Sequence, residues 1–142
     1  MAYILDTDVL TILQRGPHPS RARLIRRLST KSPLQIVTTI ISFQEQVRGW
    51  LGLLNRVQGD SRLLAAYAEL LKSWEEFRGI TVLPFDAPAL SAFKELQKQR
   101  VRVGTMDLRI ASIGLARQMT VVTCNTRDFS QVPGLICEDW TI

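Results

Sequence analysis

The sequence has little of the chemistry on which most zinc, disulfide and nucleophile-based sites depend. It contains 1 histidine and 2 cysteines in 142 residues. Cys124 and Cys137 form no CxxC pair and have no histidine near them, which argues against a zinc site and a disulfide framework. His18 lies between two prolines in a predicted loop, so we interpret it as structural or incidental. No histidine, serine or cysteine is therefore a strong candidate for a nucleophile or general base.

Long apolar segments are also missing. No apolar run approaches the roughly 18 residues that span a bilayer. The N-terminus enters a strand-like run without a basic region or a small-residue cleavage site. We expect a protein without a membrane partner in the reducing cytoplasm. The length predicts a single domain, residues 1–142, with its own hydrophobic core.

Positive charge is in excess, with 18 Lys and Arg against 13 Asp and Glu and a net charge of +5. Such a balance favours a polyanionic partner such as nucleic acid or an acidic protein, although a soluble protein can be basic for no such reason. The most basic stretch is a predicted helix after Ser20, which either follows a phosphate backbone or forms a solvated face. Its basic residues are Arg21, Arg23, Arg26, Arg27 and Lys31.

Short apolar runs with the pattern of buried strands alternate with predicted helices. The strands are expected at residues 2–5, 34–39, 81–85 and 120–123. The helices are expected after a cap at Thr7 or Asp8, after Ser20, at about 42–54, from 60 or 61 to 79, at 86–100, and from near Asp107. This alternation predicts an α/β fold of three layers, with helices on both faces of an open, mostly parallel sheet. The two amphipathic helices between 42 and 79 predict a helical hairpin.

Four acidic residues border these strands: Asp6, Glu45, Asp107 and Asp128. In open α/β sheets ligands bind beyond the carboxyl ends of the strands, where Asp6 and Asp128 are expected. Carboxylates are the ligands that Mg²⁺ and Mn²⁺ prefer, and four of them together repel one another unless a cation lies between them. The pattern predicts a divalent metal site in a basic protein, which suggests a nuclease.

Each acid also has an ordinary structural explanation. Asp6 can be a turn or cap residue, although Thr7 or Asp8 is available for capping. Glu45 lies on the polar side of its helix, where glutamates are usually solvated, but Gly49 on the same side leaves room for close approach. Asp107 can complement a helix dipole and Asp128 can be a turn residue. The inward direction predicted for Asp107 favours the metal site.

These segments resemble the motifs of PIN-domain ribonucleases, and most closely the VapC toxins of bacterial toxin–antitoxin pairs. The matching motifs are residues 3–10, residues 38–49 with the acid four positions before a glycine, residues 107–112, and residues 122–135. The resemblance covers nearly the whole chain. The departures are Gln46, where an apolar residue is usual, and Thr105-Met106, where a polar residue often precedes the third acid.

The resemblance implies a Mg²⁺- or Mn²⁺-dependent endoribonuclease with a PIN-like fold. Asp6 and Asp107 would be the principal metal ligands, and Glu45 and Asp128 would complete the acidic pocket. The supporting residues would be Thr7, Asp8, Thr123 and Asn125. The implied reaction is hydrolysis of RNA by a metal-activated water, leaving a 5′-phosphate and a 3′-hydroxyl. The implied partners are a separate antitoxin protein and a second copy of the chain, while the RNA that is cut cannot be read from the sequence.

Two other functions fit parts of the sequence. Asp6-Thr7-Asp8 after a strand also begins haloacid-dehalogenase-like phosphatases, in which the first Asp is the nucleophile. That family expects Thr or Val where Leu10 stands, and usually a longer chain. A binding module that holds RNA without cutting it is the other alternative, and its expected mark, a missing acid, is not found.

Overall fold

A parallel sheet of five strands forms the centre of the molecule. The computed structural model describes residues 1–142. The strands are β1 (Tyr3–Leu5), β2 (Ile36–Thr39), β3 (Thr81–Leu83), β4 (Thr120–Val122) and β5 (Cys137–Glu138). They lie in the order β3-β2-β1-β4-β5, and every neighbouring pair is parallel. All residues of β1 and β4 are buried, as expected for strands covered on both faces, so the predicted parallel sheet is confirmed.

Seven helices surround the sheet. They are α1 (Thr7–Gln14), α2 (Arg21–Leu28), α3 (Ile40–Arg56), α4 (Asp60–Arg78), α5 (Ala87–Lys98), α6 (Thr105–Arg117) and α7 (Thr126–Phe129). Helices α3 and α4 contact each other as the predicted helical hairpin. None of the helices combines the length and the apolar character that crossing a bilayer requires.

The strands alternate their side chains between two cores, and this alternation produces the three predicted layers. Tyr3, Leu5 and Val122 pack with residues of α1, α2 and α4 and with the C-terminal Trp140. Ile4 and its neighbours on β2 and β4 pack on the other face with residues of α3, α5, α6 and α7. The fully buried Trp140 therefore fixes the C-terminal segment to the first core.

Several elements differ from the predicted ones in their bounds, and one strand was not predicted. A 3₁₀ turn at Pro33–Gln35, capped by the Ser32 hydroxyl, precedes β2, so the strand begins at Ile36 rather than at residue 34. Helix α3 begins at Ile40, because the Thr39 side chain accepts a hydrogen bond from the Ser42 backbone N–H and caps it. Strand β5 was not predicted, since two residues of mixed polarity carry no periodic pattern.

The apolar stripes of the helical hairpin do not face the core. In α4 the buried residues are Ala66, Ser73 and Phe77, while most of the large apolar side chains lie on the surface. These exposed side chains border a groove of about 290 Å³ between α3 and α4. Its apolar lining is Phe43, Val47, Tyr67, Leu70, Leu71 and Trp74.

The side of α3 that faces α1 and α4 carries a buried glutamine in place of an apolar residue. The amide nitrogen of Gln46 donates to Gln14 Oε1 at 2.8 Å and to Thr11 Oγ1 at 3.3 Å. Its carbonyl oxygen accepts from the Ser73 hydroxyl at 3.1 Å. Because both ends of the amide are paired, the buried glutamine is satisfied, and it joins three helices through hydrogen bonds.

Two glycines inside helices provide a test of this packing. A Cβ on Gly49 of α3 would meet nothing within 4 Å, whereas a Cβ on Gly114 of α6 would lie 3.1 Å from Leu135 Cδ1 and Val121 Cγ2. We expect Gly49→Ala to raise the free energy of unfolding by roughly 0.5–1 kcal/mol, because alanine loses less entropy in a helix. Gly114→Ala should lower it by about 1–3 kcal/mol through overpacking. Urea denaturation measures the free energy of unfolding of both variants. Equal changes in the two would contradict the close packing around Gly114 in α6.

Candidate functional site

The register of the three central strands places one residue from each at the same edge of the sheet. Leu5 pairs with Val122 and Ile4 pairs with Val37, so Asp6 lies level with Thr123 on one side and Thr39 on the other. The Thr38 hydroxyl donates to the Leu5 carbonyl at 2.9 Å, which ties the ends of β1 and β2 together. The chain turns into a helix after each of these ends. The side chains of those first helical turns therefore gather at the carboxyl edge.

Asp6 is buried at this edge, with a fractional exposure of 3 %. Its backbone N–H extends β1 by donating to the Val122 carbonyl, and its Oδ1 accepts from the Val9 backbone N–H at 2.9 Å. Asp6 is thus the N-cap of α1, and the prediction that Thr7 or Asp8 caps this helix is wrong. The helix begins one residue earlier than expected because the acid itself satisfies the first free N–H groups.

The pKa of Asp6 is raised to about 7, mainly because burial penalises its charged form. Hydrogen bonds from the Thr123 hydroxyl and the Val9 N–H act in the opposite direction, and the charges of Asp8 and Asp107 raise the pKa further. Asp8 itself points into solvent from the first turn of α1. Near neutral pH, Asp6 therefore holds a proton in part of the molecules.

Glu45 reaches the same edge from α3 and is oriented by a hydroxyl. The Thr7 hydroxyl donates to Glu45 Oε1 at 2.6 Å and lies 3.0 Å from the Ser42 hydroxyl. Thr7 was predicted to be a supporting residue, whereas the contact of Ser42 was not predicted. Ser42 lies within the second motif, but a small polar residue in a helix carries no signal of its own. The hydroxyl pair joins α1 to α3 beside the carboxylate.

Asn125 lies beside both Asp107 and Asp128. Its side-chain nitrogen donates to Asp128 Oδ2 at 2.9 Å, and its polarity acts against the other causes that raise the pKa of Asp107. Asp107 lies in the first turn of α6 and Asp128 in the short helix α7. The Asn125 backbone N–H in turn donates to the Thr123 hydroxyl at 2.8 Å, which fixes the turn after β4. Asn125 and Thr123 thus support the acids from this turn.

The four acids interact electrostatically without any basic partner. The pKa of Asp107 is raised, first by burial and then by the negative charges of Glu45, Asp8 and Asp128. The ion pairs of the structure join Arg27 to Glu138, Lys72 to Glu76 and Arg117 to Asp86, and none includes these acids. We call Asp6, Glu45, Asp107 and Asp128 the acidic edge. Asp107 lies close enough to Asp6, Glu45 and Asp128 for their charges to interact.

The side chains of the acidic edge do not form a ready coordination sphere. No three His, Cys, Asp or Glu side chains are placed closely enough to hold an ion. One oxygen of Asp6 is used as a helix cap and one oxygen of Glu45 accepts from Thr7. The donor set nevertheless suits a hard cation, because it is made only of oxygens, and burial together with neighbouring negative charge raises the pKa of two of its members. Metal ligation by these residues stays a prediction.

The basic residues of α2 are used largely within the protein. Arg21 donates to the Leu13 carbonyl and Arg23 to the Thr141 carbonyl. Arg27 pairs with Glu138, and the ammonium group of Lys31 lies 4.8 Å from the ring centroid of Tyr3. These contacts fasten the C-terminal segment and the first strand, and RNA binding by α2 stays a prediction. Arg26 alone of the five stands exposed without such a contact.

The phosphatase alternative gains no support from the geometry. A nucleophilic aspartate must expose a charged oxygen to the phosphorus atom of its substrate. Asp6 is buried, caps α1 through Oδ1, and has a pKa raised to about 7. Burial and the hydrogen bond restrict access to the carboxylate, and the raised pKa reduces the fraction of molecules in which it is charged.

The comparisons with known proteins agree with this geometry. Residues 3–135 match the family model of the PIN domain. Ribonuclease VapC1 of Rickettsia felis is 25% identical over 141 residues, which cover 95% of this chain and 93% of that protein. The tRNA(fMet)-specific endonuclease VapC of Shigella flexneri is 38% identical over 66 residues, 44% of this chain and 50% of that protein.

A solved structure extends the likeness to the complete fold. The structure of VapBC-1 from nontypeable Haemophilus influenzae superposes with a TM-score of 0.71 at 25% identity and covers 100% of both chains. The resemblance to PIN-domain ribonucleases and VapC proteins that the motifs indicated is therefore confirmed.

The buried acid makes a prediction about stability and pH. The folded pKa of Asp6 lies above its unfolded value, so the protonated form stabilises the fold below pH 4, and this contribution is lost as the pH rises through 7. Asparagine imitates the protonated acid and can still cap α1. In EDTA, we expect Asp6→Asn to match the wild type in stability near pH 4 and to exceed it at pH 8, by on the order of a few kcal/mol.

Thermal unfolding of both proteins across this pH range measures the difference. Asp86→Asn is the control, because Asp86 also caps α5 through Oδ1 but is half-buried and pairs with Arg117, so removal of its charge should give no gain at pH 8. A wild type as stable as Asp6→Asn at pH 8 would show that the buried carboxylate carries no such cost.

Proposed function

Because the chain belongs to the PIN-domain family, we propose that it is an endoribonuclease that requires Mg²⁺ or Mn²⁺, and the toxin of a toxin–antitoxin pair. It hydrolyses RNA phosphodiester bonds at the acidic edge and leaves a 5′-phosphate and a 3′-hydroxyl. The relatives named as ribonucleases and as an endonuclease support this class of reaction.

The observation that carries the proposal is a set of carboxylates without counter-charge. Asp6, Glu45, Asp107 and Asp128 meet at the edge of the sheet where ligands of α/β folds bind, and no lysine or arginine neutralises them. A protein with a net charge of +5 has enough basic residues to pair these acids. The unpaired cluster is therefore an arrangement that serves a cation rather than an accident of composition.

We assign the principal metal ligands to Asp6 and Asp107 and place Glu45 and Asp128 around them. A divalent cation bound there lowers the pKa of a coordinated water and offsets charge on the phosphate oxygens. Side-chain rotations would be needed to gather the ligands, since no three of them are placed to hold one ion.

The chain's own polar groups hold the acids in place. The Thr7 hydroxyl leaves one oxygen of Glu45 available by binding the other. The Asn125 amide keeps Asp107 and Asp128 beside each other despite their repulsion, and the Thr123 hydroxyl steadies the charged form of Asp6. Asp8 adds negative charge at the rim of the site, where a cation arriving from solvent meets it first. Groups of this kind set the orientation and basicity of metal ligands.

We further propose that a separate antitoxin protein inhibits the enzyme and that the chain forms a homodimer. The resemblance to VapC toxins is the basis for both partners. The exposed apolar groove between α3 and α4 supports a protein partner, because soluble proteins rarely leave such surface uncovered.

The proposal is tested by cleavage of RNA with wild type and Asp107→Asn purified identically. We expect discrete cuts in total RNA with Mg²⁺ or Mn²⁺ and wild type, and none with EDTA or with the variant. Initiator tRNA belongs among the substrates, because a relative is named for cutting it. End mapping should find 5′-phosphates.

The possible results separate the alternatives. If wild type and variant cut alike, the activity comes from a contaminant and the assignment fails. If neither cuts any RNA but both bind it, the chain is a binding module that keeps the fold.

Thr7 provides a second test, because it touches Glu45 without being one of the acids. Thr7→Val removes the 2.6 Å hydrogen bond and keeps the side-chain shape. Loss of a residue that orients a metal ligand typically lowers activity or metal affinity by roughly 10–100-fold. We expect this loss in kcat with unchanged thermal stability, and we expect Thr7→Ser to retain activity. Equal kcat for the Val and Ser variants would remove the orienting role.

A further inference from the structure

The loop between α5 and α6, residues 99–104, presents two arginines on an anchored backbone. Arg100 and Arg102 are exposed and take part in no ion pair or cation–π contact. Val101 and Val103, which alternate with them, pack against the core of the α5 and α6 face. The alternation turns both arginines outward while the valines hold the loop to the protein.

The backbone of this loop favours glycine at one arginine. Arg100 has φ +56°, in the left-handed region, directly after the end of α5. The Arg100 N–H donates to the Gln97 carbonyl and the Val101 N–H to the Leu96 carbonyl, the pattern of a Schellman helix end. Glycine adopts this conformation at lower cost than any residue with a Cβ. A residue with a Cβ in this conformation is an exception to the local preference, and such exceptions are a reason to look for a function.

The loop leads directly into the acidic edge. Helix α6 begins at Thr105, and Asp107 lies in its first turn. Asp107 lies five positions after Arg102, so their backbones are at most about 18 Å apart. Gly104 between them is exposed, and a Cβ there would meet nothing within 4 Å, which leaves the approach to the first turn of α6 open.

The basic groups of α2 are less suitable for the same task. Most arginines of α2 are bound to the protein's own carbonyls, carboxylates and rings, as described above. The acidic edge repels a phosphate chain, so an RNA held there needs fixed positive charge beside it. The loop has that charge, and exposed Lys98 at the end of α5 adds to it.

We propose that Arg100 and Arg102 bind phosphates of the RNA strand next to the bond that is cut. The inference rests on the proposed function and names the residues that hold its substrate. Arginine forks suit phosphate oxygens, and contacts of this kind fix the position of a strand without reading its sequence. The loop thus gives affinity for single-stranded RNA in general, while the choice of target depends on other surfaces.

Binding is measured by fluorescence anisotropy with a labelled single-stranded RNA of mixed sequence, in the Asp107→Asn background that leaves the strand uncut. The test variant carries Arg100→Gly and Arg102→Ala. Arg100→Gly relieves the left-handed backbone, so we expect its thermal stability to equal or exceed that of the parent. We expect the double variant to bind about 10-fold more weakly. The slope of log affinity against log salt concentration should become less steep by about 1 to 1.5, as for the loss of two phosphate contacts.

Two matched controls isolate the loop. Gln118, at the C-terminal end of α6, is the other non-glycine residue with a left-handed backbone. Gln118→Gly relieves that conformation without a change in charge. Arg26→Ala removes one exposed, unpaired arginine from α2. Both should bind RNA as the parent does.

Each outcome decides a separate claim. The inference is overturned if the double variant binds RNA like the parent. It is also overturned if Arg26→Ala loses as much RNA affinity as the double variant, because that would show a general effect of charge. If the double variant keeps its RNA affinity but loses binding to an acidic peptide, the loop serves a protein partner and the inference is overturned. Absence of metal-dependent cleavage by wild type, with intact RNA binding by the loop, overturns the proposed function alone.

Discussion

The parallel register of β1 between β2 and β4 determines where Asp6 lies relative to the other two strand ends at the acidic edge. Pairing of Leu5 with Val122 brings Asp6 level with Thr123. On the other side, the pairing of β1 with β2 brings Asp6 level with Thr39, which caps α3. The segment after β2 then supplies Glu45, and the segment after β4 supplies Asn125 and Asp128. A shift of one residue in either pairing would send Asp6 to a different depth and its side chain to the other face. The site is therefore a consequence of strand pairing in the core.

The sequence was sufficient for the fold class and for the residues of the acidic edge, because buried strands and acids next to them leave strong patterns. It was insufficient for the helix ends and the hydrogen bonds. Asp6 fills two roles that seemed exclusive in the sequence, since one oxygen caps α1 while the residue lies among the acids. Gln46 looked like a simple departure from the family pattern, yet its partners Gln14 and Ser73 lie far away in sequence. The contacts of α2 with the C-terminal segment were hidden for the same reason.

Several local features reduce stability where function would gain from them. Burial raises the pKa of Asp6 to about 7, and burial together with the negative charges of the neighbouring acids raises that of Asp107. Gly49, one turn after Glu45, leaves the helix surface there without a side chain. Arg100 occupies a backbone conformation that suits glycine. These exceptions surround the carboxyl edge or the loop that enters it, whereas the cores on either side of the sheet are regularly packed. Exceptions to local rules are expected at functional sites.

The most direct test of a cation site at the acidic edge is calorimetric titration of metal-free protein with Mn²⁺, with wild type and Asp107→Asn compared at the same pH above 7. The unbalanced charge of the four acids predicts saturable binding by the wild type, release of protons from the acids whose pKa is raised, and a large loss of affinity in the variant. Equal binding by the two proteins, or no binding by either, would contradict the claim that these carboxylates are held together for a metal ion.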